Sequence, residues 1–338
     1  MQWCATFHVS SAHRPIKIAF FVNKLSFRGT EVATFDYAHY NETLLGNESI
    51  IINHDTQTNN EVRQKFVNRF GKEKFFDCAT MQEIDQILLR EQVDIFYSLK
   101  EGYRDSFISA VSKNAVHAVF PYAIDPHGNV YACVSQWLSE QFPQLNLPFV
   151  PHMITLPNSP ENLRDELKIP DNAIVFGRHG GYETFDLPFV HEVVCKVARH
   201  RKDIYFIFLN TNKFCNLPNV IFLPATTDLL YKTKFINTGD AMLHARYRGE
   251  TFGLACAEFS IKNKPVITWF NSRERSHIDI LGNKGIYYTH ADDLLHILYS
   301  FKKEPHKNWD AYSEKFSPEL VMKKFDEVFI KPLIAGKK

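Results

Sequence analysis

The chain has 338 residues, 45% of them hydrophobic and 14% aromatic, with 16 prolines and 14 glycines. That composition excludes a disordered or fibrous protein, and the length, too great for one ordinary core, points to two domains with a cleft between them. Thirty-nine basic and 38 acidic residues nearly cancel, which excludes the field of a general nucleic-acid or acidic-membrane binder and makes any anion site local.

The opening MQWCATFHVSSAHRPI lacks the basic start and apolar stretch of a secretory signal, and no later run is long enough to span a membrane. Cys4, Cys78, Cys133, Cys195, Cys215 and Cys256 form no C-x-x-C or zinc-like spacing, so neither a disulfide framework nor a metal site is expected, and a reducing, cytoplasmic setting fits. The sequons at Asn41 and Asn47 then read as chance matches.

The apolar run at 17–22, KIAFFV, is a buried parallel strand feeding the loop NKLSFRGTE and a helix from about Val32. The same alternation predicts strands at 49–53, 93–97 and 116–120 and a helix at 81–90. A further strand ends near Ser135, where a helix begins. Prolines 148, 151, 157 and 160 place the linker at 147–160. Beyond it, strands are expected at 173–176, 204–209, 220–223, 241–243 and 265–268, with helices at 187–199, 229–233 and 253–261. The fold class is therefore α/β, with two Rossmann-like doubly wound parallel sheets. The divisions are 1–152, 153–315 and a helical 316–338 that returns to the first domain, with frayed last residues.

The most informative stretch is RYRGETFGLACAEFSIKNKPVIT. Glu250 and Glu258 flank the turn T-F-G-L, and if a helix starts near Gly253 its eight residues span about 12 Å. One ligand then reaches both acids. Phe252, Gly253 and Leu254 present free amides at a helix N-terminus, where a phosphate is favoured, and glycine lets it come close. Two glutamates eight apart also fit a solvated loop residue and an ordinary helix position.

On the run E-T-F-G-L-A-C-A-E the chain resembles the retaining glycosyltransferases of family 4, which have the GT-B fold. The resemblance implies that Glu250 meets the donor sugar, Glu258 the nucleotide ribose, and the amides of Phe252, Gly253 and Leu254 the diphosphate. The segment FGRHGGYE resembles the family's donor loop, which makes Arg178 a phosphate ligand. Glu183 stands where that loop has a lysine, so Arg246 or Arg248 is expected to supply the missing charge. In RGTEVATF, Gly29 and Glu31 match the family's first loop, which lies across the cleft from the donor phosphates and makes Gly29 a donor contact, but Arg28 replaces a glycine; the same segment also reads as a helix start capped by Thr30. A first-domain histidine usual in the family has no clear counterpart here, leaving Asp125 or His127. His179 and His244 receive no role. The departures suit a divergent member, such as a virus-encoded one.

The resemblance implies transfer of a hexose, with GDP-mannose as the favoured donor, to a glycan or glycoconjugate hydroxyl with retention. No D-x-D is present to hold a divalent metal against a diphosphate, so metal independence is expected; no cofactor is expected, the balanced charge and short apolar runs leave no nucleic acid or membrane span, and a homodimer is allowed. An epimerase or hydrolase of the same fold, and a non-enzymatic sugar-nucleotide binding subunit, remain alternatives.

Overall fold

The computed structural model describes residues 14–54 and 59–335; the opening thirteen residues, with Cys4, and the last three lie outside them. The first domain contains β1 (Lys17–Val22), α1 (Gly29–Thr43), β2 (Glu48–Asn53), α2 (Asn60–Phe70), β3 (Phe75–Asp77), α3 (Met81–Arg90), β4 (Ile95–Lys100), β5 (Lys113–Ala118), β6 (Val130–Cys133) and α4 (Gln136–Glu140). Its strands form one parallel sheet in the order β3-β2-β1-β4-β5-β6.

The second domain runs through β7 (Ile174–His179), α5 (Pro188–His200), β8 (Ile204–Leu209), β9 (Val220–Leu223), α6 (Leu229–Thr238), β10 (Ala241–His244), β11 (Gly249–Glu250) and α7 (Leu254–Ile261). It continues with β12 (Val266–Trp269), β13 (Glu274–Arg275), α8 (Ser276–Leu281), β14 (Gly285–Tyr288) and α9 (Ala291–Ser300). The second parallel sheet has the order β14-β12-β10-β7-β8-β9, and β11 and β13 make a small parallel ribbon beside it. The two doubly wound sheets form the GT-B architecture. Strand order reverses between β1 and β4 and between β7 and β10, and the crevices at the carboxyl ends there are where such sheets bind ligands.

Several elements depart from expectation for local reasons. Arg28, extended, is the N-cap of α1, so the helix starts earlier than Val32; Thr30 lies inside it and does not cap it. β4 starts at Ile95 because Asp94 is bound to the Lys17 amide and Arg14, and Gln92 has a positive φ. β5 ends at Ala118, before a single 3-10 turn at Pro121–Ala123. β7 runs on through Gly177, Arg178 and His179, which puts Arg178 within the sheet.

After α9 the chain recrosses the boundary, where the Ile154 amide donates to the Phe316 carbonyl. α10 (Pro318–Phe325), a π turn at Asp326–Ile330 and α11 (Lys331–Ile334) follow. Val321, Met322, Phe325 and Phe329 complete the first domain's core, not the second's. Phe325, 0% exposed, packs against Phe20, Tyr37, Tyr97 and Phe329. Phe325→Ala is expected to cost about 3–5 kcal/mol, the range for truncating a buried aromatic. Urea denaturation followed by tyrosine fluorescence checks this.

Candidate active site

The first residues of α1, which follows β1, and of α7, which follows β10 and β11, lie close together. Gly29 opens α1, and a Cβ placed on it would come 3.1 Å from Leu254 Cδ1 at the start of α7. α7 is capped by Gly253, whose left-handed backbone (φ +92) turns the chain into the helix. Among the described residues the amides of Phe252, Gly253 and Leu254 donate to no carbonyl or side chain, as the first amides of a helix must unless a cap or ligand accepts them. The Phe252 ring is buried against His152, Tyr312 and Phe316, so only its amide can serve the cleft.

Glu250 is set by β11. Gly249, with φ +83, lies so close to the Glu274 carbonyl that no side chain fits, and this draws Glu250 into register with Arg275. Its carboxylate accepts from Arg246 Nη1 at 2.8 Å and lies 3.2 Å from His244 Nε2. It retains 20% of its side-chain exposure. Burial pushes the carboxyl up, but Arg246, with His244 and His277 behind it, outweighs burial and holds it at about 2. Glu250 is thus an ionised acceptor with part of its surface open.

A buried relay stands behind it. His244 Nδ1 meets Thr268 Oγ1 at 2.8 Å, and Thr268 Oγ1 meets His277 Nε2 at 3.1 Å. Burial keeps His277 neutral, well below its usual range. Glu250, ionised, can only accept, so His244 Nε2–H donates to it, and the Thr268 hydroxyl bridges His244 Nδ1 and His277 Nε2.

Glu258, 6% exposed, is gripped by Lys232 Nζ at 2.7 Å and His179 Nε2 at 2.9 Å. Burial opposes its ionisation, and Lys232 and His179 overcome it, giving about 2. Arg178, 2% exposed, donates from Nη1 to the Asn210 carbonyl and Thr211 Oγ1, and from Nη2 to the Gly181 carbonyl and Thr184 Oγ1. All four acceptors are neutral, and among the described residues no carboxylate pairs with it. Burial lowers its pKa to about 10, so it is a cation held near the carboxyl end of the central strand β7 with no carboxylate paired to it among the described residues.

The other expected cations are already engaged. Arg246 pairs with Glu250, and Arg248 pairs with Glu274 at 2.9 Å while its guanidinium lies over Tyr122, 4.2 Å from the ring centre. Glu31 is buried, accepts from Ser26 Oγ, and burial pushes its carboxyl up to about 7. His127 Nδ1 lies 2.6 Å from the Asp125 carbonyl, and its ring packs on Tyr131. Neither Asp125 nor His127 is among the partners of Glu250 or Arg178.

His179, Lys232, His244, Thr268 and His277 are the site residues that sequence reasoning missed. His179 and His244 were the nearest to being found, each ending a strand beside a motif. Among the described residues no three His, Cys, Asp or Glu side chains are grouped to hold a metal ion, and no helix is long and apolar enough to cross a membrane. The five described cysteines are unbridged.

These carboxylates make folding stability depend on pH in two opposite ways. Glu250 and Glu258, held at about 2 against an ordinary 4.5, stabilise the fold above pH 4.5, and that stability is lost as pH falls towards 2. Glu31 and Glu274, raised to about 7, stabilise it below pH 4.5, and that contribution is lost as pH rises from 4.5 to 7. Glu31→Gln is therefore expected to flatten the decline between pH 4.5 and 7, by about 3 kcal/mol. Melting temperatures across pH 3–8 give the measurement.

No protein-family model matches this chain, and no curated protein matches it in sequence. Its fold, however, is shared with solved structures. A glycosyltransferase from Rickettsia africae superposes with a TM-score of 0.70 at 14% identity, over 96% of this chain and 100% of that one. Anabaena Alr3699/HepE in complex with UDP-glucose gives 0.66 at 14% identity, over 95% and 99%. S. aureus MnaA with UDP gives 0.64 at 11% identity, over 96% and 99%. The class defined by fold is GT-B, two Rossmann-like domains about a cleft.

Proposed function

We propose that this protein is a glycosyltransferase that moves a hexose from a nucleoside-diphosphate sugar to an acceptor hydroxyl. The observation that carries this reading is Arg178, a buried cation without a carboxylate partner. It lies near the carboxyl end of β7, beside β10, the strand that leads on to the free amides of Phe252, Gly253 and Leu254 at the start of α7. A diphosphate supplies the missing negative charge, and more so as the sugar departs and charge builds on the leaving group. Glu250, ionised and partly open, accepts from a hydroxyl of the departing sugar and orients it.

Retention without a covalent protein intermediate is part of the proposal. Glu250 and Glu258 sit in separate ion pairs, not as a carboxylate pair across one sugar. Cofactor and metal independence, a glycan acceptor and a cytoplasmic site of action are proposed with it. The motif resemblance favours GDP-mannose, whereas the UDP-bound neighbours favour a uridine nucleotide. Calorimetric titration with GDP-mannose, GDP-fucose, UDP-glucose, UDP-galactose and UDP-N-acetylglucosamine in EDTA is expected to show one donor bound selectively. Binding of none overturns the reading.

A second reading, an epimerase or hydrolase, has its own support. A protein from Listeria monocytogenes described as a putative UDP-N-acetylglucosamine 2-epimerase shares the fold with a TM-score of 0.61 at 12% identity. In addition, Glu31, near 7, is suited to proton transfer at neutral pH. Turnover of the selected donor without any acceptor, followed by mass spectrometry and NMR, separates the two.

A further inference from the structure

Arg28 is placed where its own helix disfavours it. As the N-cap of α1 it sits at the positive end of the helix dipole and makes no side-chain cap. Its guanidinium is 70% exposed, and its partner is Glu183 of the opposite domain, itself 66% exposed, with Nη2 3.6 Å from Oε2. An ion pair this long and this wet is weakly held. The other cleft cations with carboxylate partners are gripped at 2.7–2.9 Å by acids of low exposure: Lys232 by Glu258, Arg246 by Glu250 and Arg248 by Glu274. Arg28 is therefore the cation of this group that can change partner.

The neighbourhood favours a more highly charged partner than a carboxylate. The next residue, Gly29, touches Leu254 at the start of α7, so two helix N-termini converge beside Arg28. Arg178 lies buried with only neutral acceptors, one of them the Gly181 carbonyl two residues before Glu183. Two departures that look unrelated in sequence, an arginine at 28 and a glutamate at 183, meet in space as one ion pair.

We infer that Arg28 is a diphosphate-binding residue supplied by the first domain, and that Glu183 is the counterion it exchanges when a nucleoside diphosphate enters the cleft. This rests on the proposed function and adds to it a residue, a domain and an order of contacts. Binding then swaps a carboxylate for a diphosphate on the same guanidinium, and the ligand links the first domain to the helix start at Gly253.

Titration of UDP and GDP, with uridine and guanosine as phosphate-free controls, tests this on the full chain. Arg28→Ala is expected to weaken the diphosphate that binds by about tenfold or more and to leave its nucleoside unchanged. Glu183→Ala is expected to tighten the same diphosphate by about two- to fivefold, since a competitor is removed. The exchanged pair Arg28→Glu with Glu183→Arg is not expected to restore wild-type binding. Diphosphate affinity unchanged in Arg28→Ala overturns the inference. So does weakening by both single variants with recovery in the exchanged pair, the pattern of a structural clasp. If wild type binds neither diphosphate, the proposed function fails first and this inference with it. Both side chains are exposed, so melting temperatures near wild type are expected and checked alongside.

Discussion

Glu250→Gln is expected to lower kcat/KM for sugar transfer by about 100- to 1,000-fold while nucleoside-diphosphate affinity stays the same or rises slightly. The split follows from charge. Glutamine keeps the shape of the side chain but accepts on one terminal atom and donates from the other, so it cannot hold Arg246, His244 and the sugar hydroxyl as the carboxylate does, and orientation of the hydroxyl is lost. Removing the carboxylate also frees Arg246, 2.8 Å away, and removes a negative charge that Arg178 feels. Both changes favour an incoming anion. Parallel rate assays and UDP or GDP titrations measure the two quantities. If transfer and diphosphate affinity fall together, Glu250 acts in building the site and not on the sugar.

The acids and the glycine turn of the candidate site were legible because they lie in one short run, where Glu250, Gly253 and Glu258 take their places along one helix and its entry. What holds them was not. Glu250 depends on His244 from β10, Thr268 from β12 and His277 from α8, and Glu258 depends on His179 from β7 and Lys232 from α6. No periodicity relates these positions, since only sheet order and helix packing bring them together. Arg246 and Arg248 illustrate the same limit. The sequence shows two arginines beside the motif, whereas in the fold Arg246 pairs with Glu250 four residues on and Arg248 with the distant Glu274.

The fold itself was largely readable where strands are continuous apolar runs, as at Lys17–Val22, Ile204–Leu209 and Val220–Leu223. α3 was readable from its clean apolar stripe, and Thr80 and Glu83 close a capping box at its start. α2 went unread because its buried face is only Val62, Phe66 and Phe70 among polar residues. β3 has only three residues, FFD, and β14, GIYY, opens on a glycine and has no run of aliphatic residues to mark it as a buried strand. Strand ends moved where side chains, not propensity, decide: Asp94 holds off the start of β4, and burial of Arg178 prolongs β7.

Gly253→Val is the second substitution with a large expected effect, on both stability and binding. Gly253 has φ +92 and ψ 58, a conformation that costs a side-chain-bearing residue about 1–2 kcal/mol, more for a β-branched one. Space is lacking too. A Cβ there would stand 2.9 Å from His277 Cβ and 3.4 Å from Glu250 Cβ, and both neighbours belong to the relay that orients Glu250. Relief of the clash must displace α8 or the turn before α7. A loss of about 3 kcal/mol in unfolding free energy is expected, with donor affinity falling more than about 100-fold as the amides of Phe252, Gly253 and Leu254 lose their common direction. Gly46→Ala is the matching control. Its φ is +68, but nothing lies within 4 Å of the added Cβ, so it carries the backbone strain alone and costs about 1 kcal/mol with donor binding intact. Denaturant titration and calorimetry on both variants divide strain from site. If Gly253→Val binds the donor as wild type does, the helix start at α7 is not where the diphosphate sits, and the charge on Arg178 must be satisfied from another side of the cleft.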